Sequence, residues 1–370
     1  MKAETIQTET ILEKAMKVNP ILTRFTEENE SVKKLNLILM GHSAFQLLNA
    51  GCELGVFEEL HRAPGLGKEE LKQMLQLEER PLNCLLLGLT ALELIEKRND
   101  KYFNSGIIED FFNNGFWKIF YDVVVFENKI VYLGQYDFVE SLKSNSNTGL
   151  KRVNGFGEDL YHRLNESQEL QSAFYNYMSS WSQMAIPLLL NTNIFIGAKK
   201  VLDLGGGDGT NAVEIAKQNP DSKITIFELK ENSSLPRKKI VENSMEQQID
   251  VIEGNIFVDD FGDQYDCVVF IHLLVIWSQK EINFLLKRAH AALKEGGKVV
   301  IFNSITSDEE NGPLFGALDS VYFLSLPVEN GGMIYPWKFY ESCLQESGFS
   351  SIERINFNAW SPHGAIVAYK

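Results

Sequence analysis

The chain has 370 residues, 44% hydrophobic, 23% charged and 11% aromatic, with a formal net charge of −15. This content is too apolar for a disordered chain, the length favours two domains over one small module, and the negative balance excludes an extended phosphate-binding or anionic-membrane surface, which needs clustered Lys and Arg. No apolar run reaches the roughly 18 residues of a membrane span, and the start MKAETIQTETILEK lacks the apolar core of a secretory signal, so a cytoplasmic protein with no nucleic-acid and no membrane partner is expected.

Over residues 31–94 apolar side chains recur at helical spacing, as in LNLILMGHSAFQLLNAGCELGVFEEL and PLNCLLLGLTALELIEK. The second run predicts a helix over 81–97, and the polar turn RNDKYF, centred on Asn99-Asp100, predicts a hairpin wing after it. A helix–helix–wing unit can read DNA, but this helix carries Leu82, Leu85, Leu86, Leu87, Leu89 and Leu92 where a reader carries basic or amide side chains. A helix apolar over so much of its surface is buried in a core or against a second subunit, and dimerisation is the expectation.

Residues 111–184 read as helical and aromatic-rich, with Phe116, Trp117, Phe120, Tyr121, Phe174, Tyr175, Tyr177 and Trp181. Most of these read as core; those nearest the next domain are candidates for a pocket wall. The stretch SLKSNSNTGLKRVNG, 141–155, is the most loop-like and is expected to be a mobile cover. From Lys199 short β-branched runs alternate with helices: VLDLG, KITIFEL, IDVIEG, YDCVVFIH, GKVVIFN and AIVAYK. That alternation predicts a mostly parallel sheet covered on both faces. The expected division is a helical domain over 1–184 and an α/β domain over 185–370. Cys52, Cys84, Cys267 and Cys343 are far apart, form no CxxC pair and stand in apolar contexts, so buried free thiols are expected and no metal.

Val201-Leu202-Asp203-Leu204 reads as a strand, Gly205-Gly206-Gly207-Asp208-Gly209 as a turn, and Thr210 onward as a helix stopped by Pro220. Glycines at such a junction let a ligand approach backbone that a Cβ would block, and the helix start offers free N–H donors. Glu228, ending the next strand, is placed to accept both hydroxyls of a ribose. Spacing here departs from the GxGxxG of dinucleotide sites and suits a nucleoside-methionine ligand, with Asp203 accepting from its amino-acid end. The competing reading is a tight turn with no ligand and a solvated Glu228.

With these segments in order, followed by IEGNIF, IWS, LKEGGKVVI and ESGF, the sequence resembles the class I S-adenosylmethionine-dependent small-molecule O-methyltransferases of the acetylserotonin, caffeate and bacterial polyketide type. The resemblance implies a helical winged-helix-like dimerisation domain, forming a homodimer, ahead of a seven-stranded Rossmann-like α/β methyltransferase domain. It implies S-adenosyl-L-methionine as cofactor and a small-molecule acceptor. Carried over by position, Asp203, Gly205 and Gly207 meet the methionine part, Glu228 the ribose and Leu229 the adenine. Asn255 stands where the family has an Asp on the adenine amino group, with Ile256 and Phe257 alongside. Phe174 and Met178 match residues lining the acceptor pocket near the methyl group, with core packing the rival reading. Trp277 and Met333 join that pocket, and Trp181, Leu324, Leu326 and Trp337 are further candidates for its walls.

The family's general base is the histidine of a His-Asp-Trp triplet, which here reads Val275-Ile276-Trp277, and GGMIYPW from Gly331 replaces a glutamate-bearing stretch. His272 is the candidate catalytic base in its place, with a cofactor contact or a buried neutral ring as alternatives. His162, His363 and Tyr161 are lesser candidates, and His42, His61 and His290 read as structural or solvated. Three readings stay open: methylation of a small aromatic or polyketide-like metabolite at oxygen or carbon, a non-methylating reaction such as a cyclisation or rearrangement on the same cofactor, and a catalytically silent cofactor-binding scaffold.

Overall fold

The structure is a computed structural model, and it describes residues 29–357 and 359–370. The start of the chain, read above for a secretory signal, lies outside the described residues. Two compact units are present, one ending at Trp117 and the other running from Lys118 to Lys370. The boundary expected between 184 and 185 falls inside a helix of the second unit, Gln168–Leu190.

The first unit contains α1 (Glu30–Leu39), α2 (Gly41–Glu53), α3 (Val56–Arg62), β1 (Leu66–Gly67), α4 (Lys68–Met74), α5 (Glu79–Ala91), the hairpin β2 (Ile95–Arg98) and β3 (Lys101–Asn104), and α6 (Gly106–Asn113). Asn99 and Asp100 turn the hairpin with φ of 48° and 59°, the left-handed pair that matches strand twist. With β1 paired to β3, the wing is a three-stranded sheet in the order β1-β3-β2. Leu82, Leu85, Leu86 and Leu89 form the i, i+3, i+4, i+7 stripe that α5 buries, whereas Leu87 is 73% exposed.

The helix expected to reach Lys97 ends at Ala91. Glu93 takes a left-handed φ of 57° and donates its N–H to Thr90, while Leu94 donates to Leu89, a Schellman closure that releases Ile95 into the strand. One cysteine also departs from expectation: Cys52, Cys267 and Cys343 are buried free thiols, but Cys84, on the outer face of α5, is exposed.

The second unit begins with helices: α7 (Trp117–Phe126) leading into a π-helical turn, Glu127–Val131, then α8 (Phe138–Ser144), a 3-10 turn over Thr148–Arg152, α9 (Leu160–Leu164) and α10 (Gln168–Leu190). The stretch expected as a loop-like cover is folded into this layer. Ser141, Gly149, Leu150 and Val153 are buried, and the Arg163 guanidinium donates to the carbonyls of Leu150 at 2.6 Å and Val153 at 2.8 Å.

After these come β4 (Lys200–Leu204), α11 (Thr210–Gln218), β5 (Lys223–Glu228), α12 (Ser234–Glu242), β6 (Ile249–Glu253), β7 (Tyr265–Ile271), α13 (Gln279–Ala292), β8 (Leu293–Ser304), α14 (Leu314–Ser325), α15 (Trp337–Glu346), β9 (Ser350–Asn356) and β10 (His363–Tyr369). The seven-stranded sheet has the order β6-β5-β4-β7-β8-β10-β9. Its first five strands are parallel, and β10 runs antiparallel to both neighbours. Val201 faces one apolar core while Leu202 and Leu204 face the other, so helices cover both sides as the period-two pattern requires. Strand β9 has no apolar run because it is a largely exposed edge. No helix among the described residues is long and apolar enough to cross a membrane.

Candidate active site

The carboxyl ends of the central parallel strands converge at the glycine turn after β4. Gly205, Gly207 and Gly209 all take positive φ, at 67°, 58° and 83°. A Cβ on Gly206 would stand 2.8 Å from Asp203 Oδ2 and 2.9 Å from the Ile226 side chain, whereas nothing lies within 4 Å of the Cβ position of Gly207. The turn is therefore packed tightly underneath and open above.

Two carboxylates sit under this turn. Glu228, 8% exposed, accepts the Gly207 N–H at Oε2 (2.8 Å) and the Leu229 N–H at Oε1 (2.9 Å), so it ties the turn to the end of β5. Burial pushes its carboxyl up, and the Leu229 and Gly207 amides with the Asn232 side chain hold it back. Asp203, 1% exposed, has its Oδ2 sealed from solvent without a hydrogen-bond partner among the described residues. Burial, with the Glu228 charge adding to it, raises its carboxyl to about 7. An enclosed, unpaired carboxylate oxygen beside an open glycine cradle fits a ligand that brings a cation. Beyond the turn, Asp208 caps α11 by accepting from the Thr210 N–H at 3.0 Å and pairs with Lys239.

An aromatic wall stands beside the turn. Tyr175 feels the charges of Glu228 and Asp208; its ring meets Phe174 edge-on at 5.4 Å, and Phe174 meets Phe126 at 6.2 Å. Phe126 stacks on Tyr177 at 4.0 Å and packs edge-on against Tyr322 at 5.4 Å.

At the end of β7, His272 takes a φ of 55°, a left-handed conformation uncommon for a non-glycine residue. Its Nε2 shares a hydrogen bond of 2.9 Å with His363 Nε2, and His363 Nδ1 is bonded to Ser361 Oγ. His272 Nδ1 is buried and has no hydrogen-bond partner among the described residues. Burial lowers His272 to about 3 and takes His363 well below its ordinary value, with His272 adding to the effect there. The pair is neutral at physiological pH, and a ring this weakly basic is a hydrogen-bonding group before it is a proton acceptor.

The other expected positions divide. Phe174 is buried in the aromatic core and Met178 packs against that same cluster. Trp277 lies elsewhere: its ring meets Phe257 edge-on at 4.8 Å, on the side of the sheet where Ile256 and Phe257 pack. Leu229 and Met333 are both more than 40% exposed. Asn255 is exposed, and its Oδ1 accepts the Phe257 N–H at 2.9 Å, so one lone pair of that amide serves its own turn. Val275 is buried on a short 3-10 turn and offers no proton acceptor; the Gly332 N–H donates to Ile276 O at 2.8 Å, fastening the GGMIYPW segment to that turn, with Ile334 buried in it. His162 pairs with Asp159 at 2.7 Å and His61 with Glu109 at 2.8 Å, which are structural uses.

Sequence reading missed Glu127 and Asp319. Burial raises Glu127 to about 8, with Asp319 adding to it, and raises Asp319 to about 7. The available signal was an acid inside an apolar helical run, in YDVVVFENKIVYL and LFGALDSVYFL.

An O-methyltransferase domain family matches residues 136–350, more than half of the chain. The L-tyrosine C(3)-methyltransferase of Streptomyces lavendulae is 46% identical over 335 residues, covering 90% of this chain and 91% of that protein. The apo crystal structure of the S-adenosylmethionine-dependent methyltransferase SibL superposes with a TM-score of 0.81 at 39% identity, covering 91% of this chain and 98% of that one. Human N-acetylserotonin methyltransferase, solved in complex with S-adenosylmethionine, shares the fold with a TM-score of 0.79 at 24% identity, covering 93% of this chain and 99% of that one.

Proposed function

The chain belongs to the O-methyltransferase domain family and is an S-adenosylmethionine-dependent methyltransferase, and on that premise we propose that it methylates a small phenolic acceptor at a ring carbon beside the hydroxyl. The acceptor class rests on one observation, the 46% identity across nine-tenths of the chain to an enzyme named for carbon methylation of tyrosine. Bound S-adenosylmethionine supplies an electrophilic methyl group on a sulfonium. Asp203 would hold the ammonium of its amino-acid end, Glu228 the ribose hydroxyls with the lone pairs left by Gly207 and Leu229, and Ile256, Phe257, Leu229 and Asn255 would hold the adenine.

Phe174, Met178 and the neighbouring tyrosines hold the acceptor ring flat against the methyl group, because an in-line displacement gains most from position. The methyl so supplied would bond to the ring carbon, the former sulfur–carbon pair would remain with sulfur, and one ring proton would leave to solvent. Val275 cannot take a proton, and His272 serves as a neutral hydrogen-bonding group near the cofactor. The first unit carries dimerisation: α1 buries none of its own residues, and Leu35, Leu37, Ile38, Leu39 and Met40 are exposed.

The test is product analysis with S-adenosylmethionine and a set of phenols including L-tyrosine. A gain of one methyl mass, equimolar S-adenosylhomocysteine and a free phenol in the product are expected. A methyl ether would overturn carbon as the site of transfer, and product without S-adenosylhomocysteine would return the non-methylating reading.

A further inference from the structure

Two carboxylates of the second unit have no role in the reaction just described. Glu127 opens the π-helical turn after α7, a local irregularity of the kind that often marks a functional site. Asp319 lies on α14, one turn before Tyr322 and on the same helix face. The rings of Phe126, Tyr177 and Tyr322, packed as described above, bring these two elements together against α10.

Neither carboxylate has a hydrogen bond or ion pair among the described residues; burial and the charge of Asp319 are what act on Glu127, and burial acts on Asp319. The lysines that flank Glu127 along the chain are paired elsewhere, Lys118 with Asp122 and Lys129 with Glu169. Tyr322 is only 7% exposed, its hydroxyl has no hydrogen-bond partner among the described residues, and both acids act on it, as they do on Tyr177. A buried tyrosine hydroxyl is normally satisfied, and two half-buried acids acting on each other without a counter-charge are costly unless a ligand brings one. The cluster therefore offers two carboxylates and the buried Tyr322 hydroxyl as acceptors. A primary ammonium presents three donors. The cluster also stands at the end of the aromatic wall away from the glycine turn, since Phe174 and Tyr175 lie between it and the charges of Glu228 and Asp208.

We propose that Glu127, Asp319 and the Tyr322 hydroxyl form a subsite for the primary ammonium group of the acceptor, so that the enzyme takes phenolic amines or amino acids, holding the amino end here and the ring along the aromatic wall. This assignment rests on the reading of the acceptor as a small phenol.

The experiment is equilibrium binding to the full-length protein saturated with S-adenosylhomocysteine, using tyramine and its neutral isostere 4-propylphenol, followed by turnover of both. Wild-type protein is expected to bind tyramine at least about tenfold more tightly, and Glu127→Gln and Asp319→Asn are each expected to lose about tenfold for tyramine while leaving 4-propylphenol unchanged. Retained S-adenosylhomocysteine affinity certifies a folded variant; where a variant fails that check, the wild-type ratio alone decides. Equal wild-type affinity for the two ligands, or equal loss of both in the variants, overturns the subsite. A fall in turnover of both ligands with binding intact also overturns it, placing the acids on the phenol proton instead. Methylation of 4-propylphenol without amine preference leaves the phenol methyltransferase standing and removes only the subsite, whereas binding of neither ligand removes both.

Discussion

Replacing Asp203 by Asn should make the protein more stable and a worse cofactor binder at once. The folded structure raises this carboxyl from 3.8 to about 7, by burial and by Glu228, which corresponds to about 4 kcal/mol against the ionised form. Because the folded value is the higher one, the stability contribution is fully present below the unfolded value near 4 and is lost as pH rises through about 7. At pH 8 the apo wild-type protein therefore carries a buried, unpaired charge that Asp203→Asn removes, and its melting temperature should rise, up to the equivalent of about 4 kcal/mol. Cofactor binding runs the other way, since the carboxylate must be ionised to meet an ammonium. The wild-type affinity for S-adenosylhomocysteine should weaken about tenfold per pH unit below about 7 and level off above it. In Asp203→Asn the profile should flatten and affinity at pH 8 should fall by about 3 kcal/mol, more than a hundredfold, the cost of leaving one partner of a buried pair alone. Calorimetric titration from about pH 5.5 to 8.5, with thermal melts of the apo protein, reads both effects. A variant with wild-type affinity and an unchanged pH profile would refute the assignment of Asp203 to the ammonium.

Glu228→Ala removes the acceptor for two backbone donors, Gly207 and Leu229, and should weaken S-adenosylhomocysteine by about 1–3 kcal/mol in the same titration. Gly206→Ala forces a Cβ to 2.8 Å from Asp203 Oδ2; a loss of about 1–3 kcal/mol in stability is expected by denaturant unfolding, and none would mean the turn is looser than its contacts require. His272→Ala should lower kcat by less than about tenfold, and the wild-type kcat should show no inflection near 6.5, because the ring is held at about 3; a loss of about a hundredfold or more with intact cofactor affinity would restore His272 as the base. In the first unit, Leu89→Ala empties a fully buried position of α5 and should cost about 2–5 kcal/mol by denaturant unfolding.

Local physics makes part of this protein legible from the amino-acid order alone. The strand–glycine–helix passage at 201–210 is written in adjacent residues, because glycine takes three left-handed positions in one short turn without steric cost, and Asn99-Asp100 names its hairpin because Asn and Asp tolerate that conformation. Alternation of apolar side chains sets the two faces of β4 and hence the two-sided sheet. Elsewhere the amino-acid order carries no local mark. The end of α5 depends on Glu93 taking a left-handed conformation that its residue type does not favour, β9 is an edge strand without an apolar run, and the polar stretch at 141–155 is ordered by carbonyl bonds from Arg163.

The candidate site divides along the same line. Asp203, Glu228 and the glycines are legible because they belong to one motif. The His272–His363 bond joins residues 91 positions apart, and the Glu127–Asp319 pair joins a π-helical turn to a helix on the far side of the α/β sequence. Whether a histidine is a base or a carboxyl is charged depends on what surrounds it, and burial is a property of the folded assembly of elements that no spacing in the chain encodes.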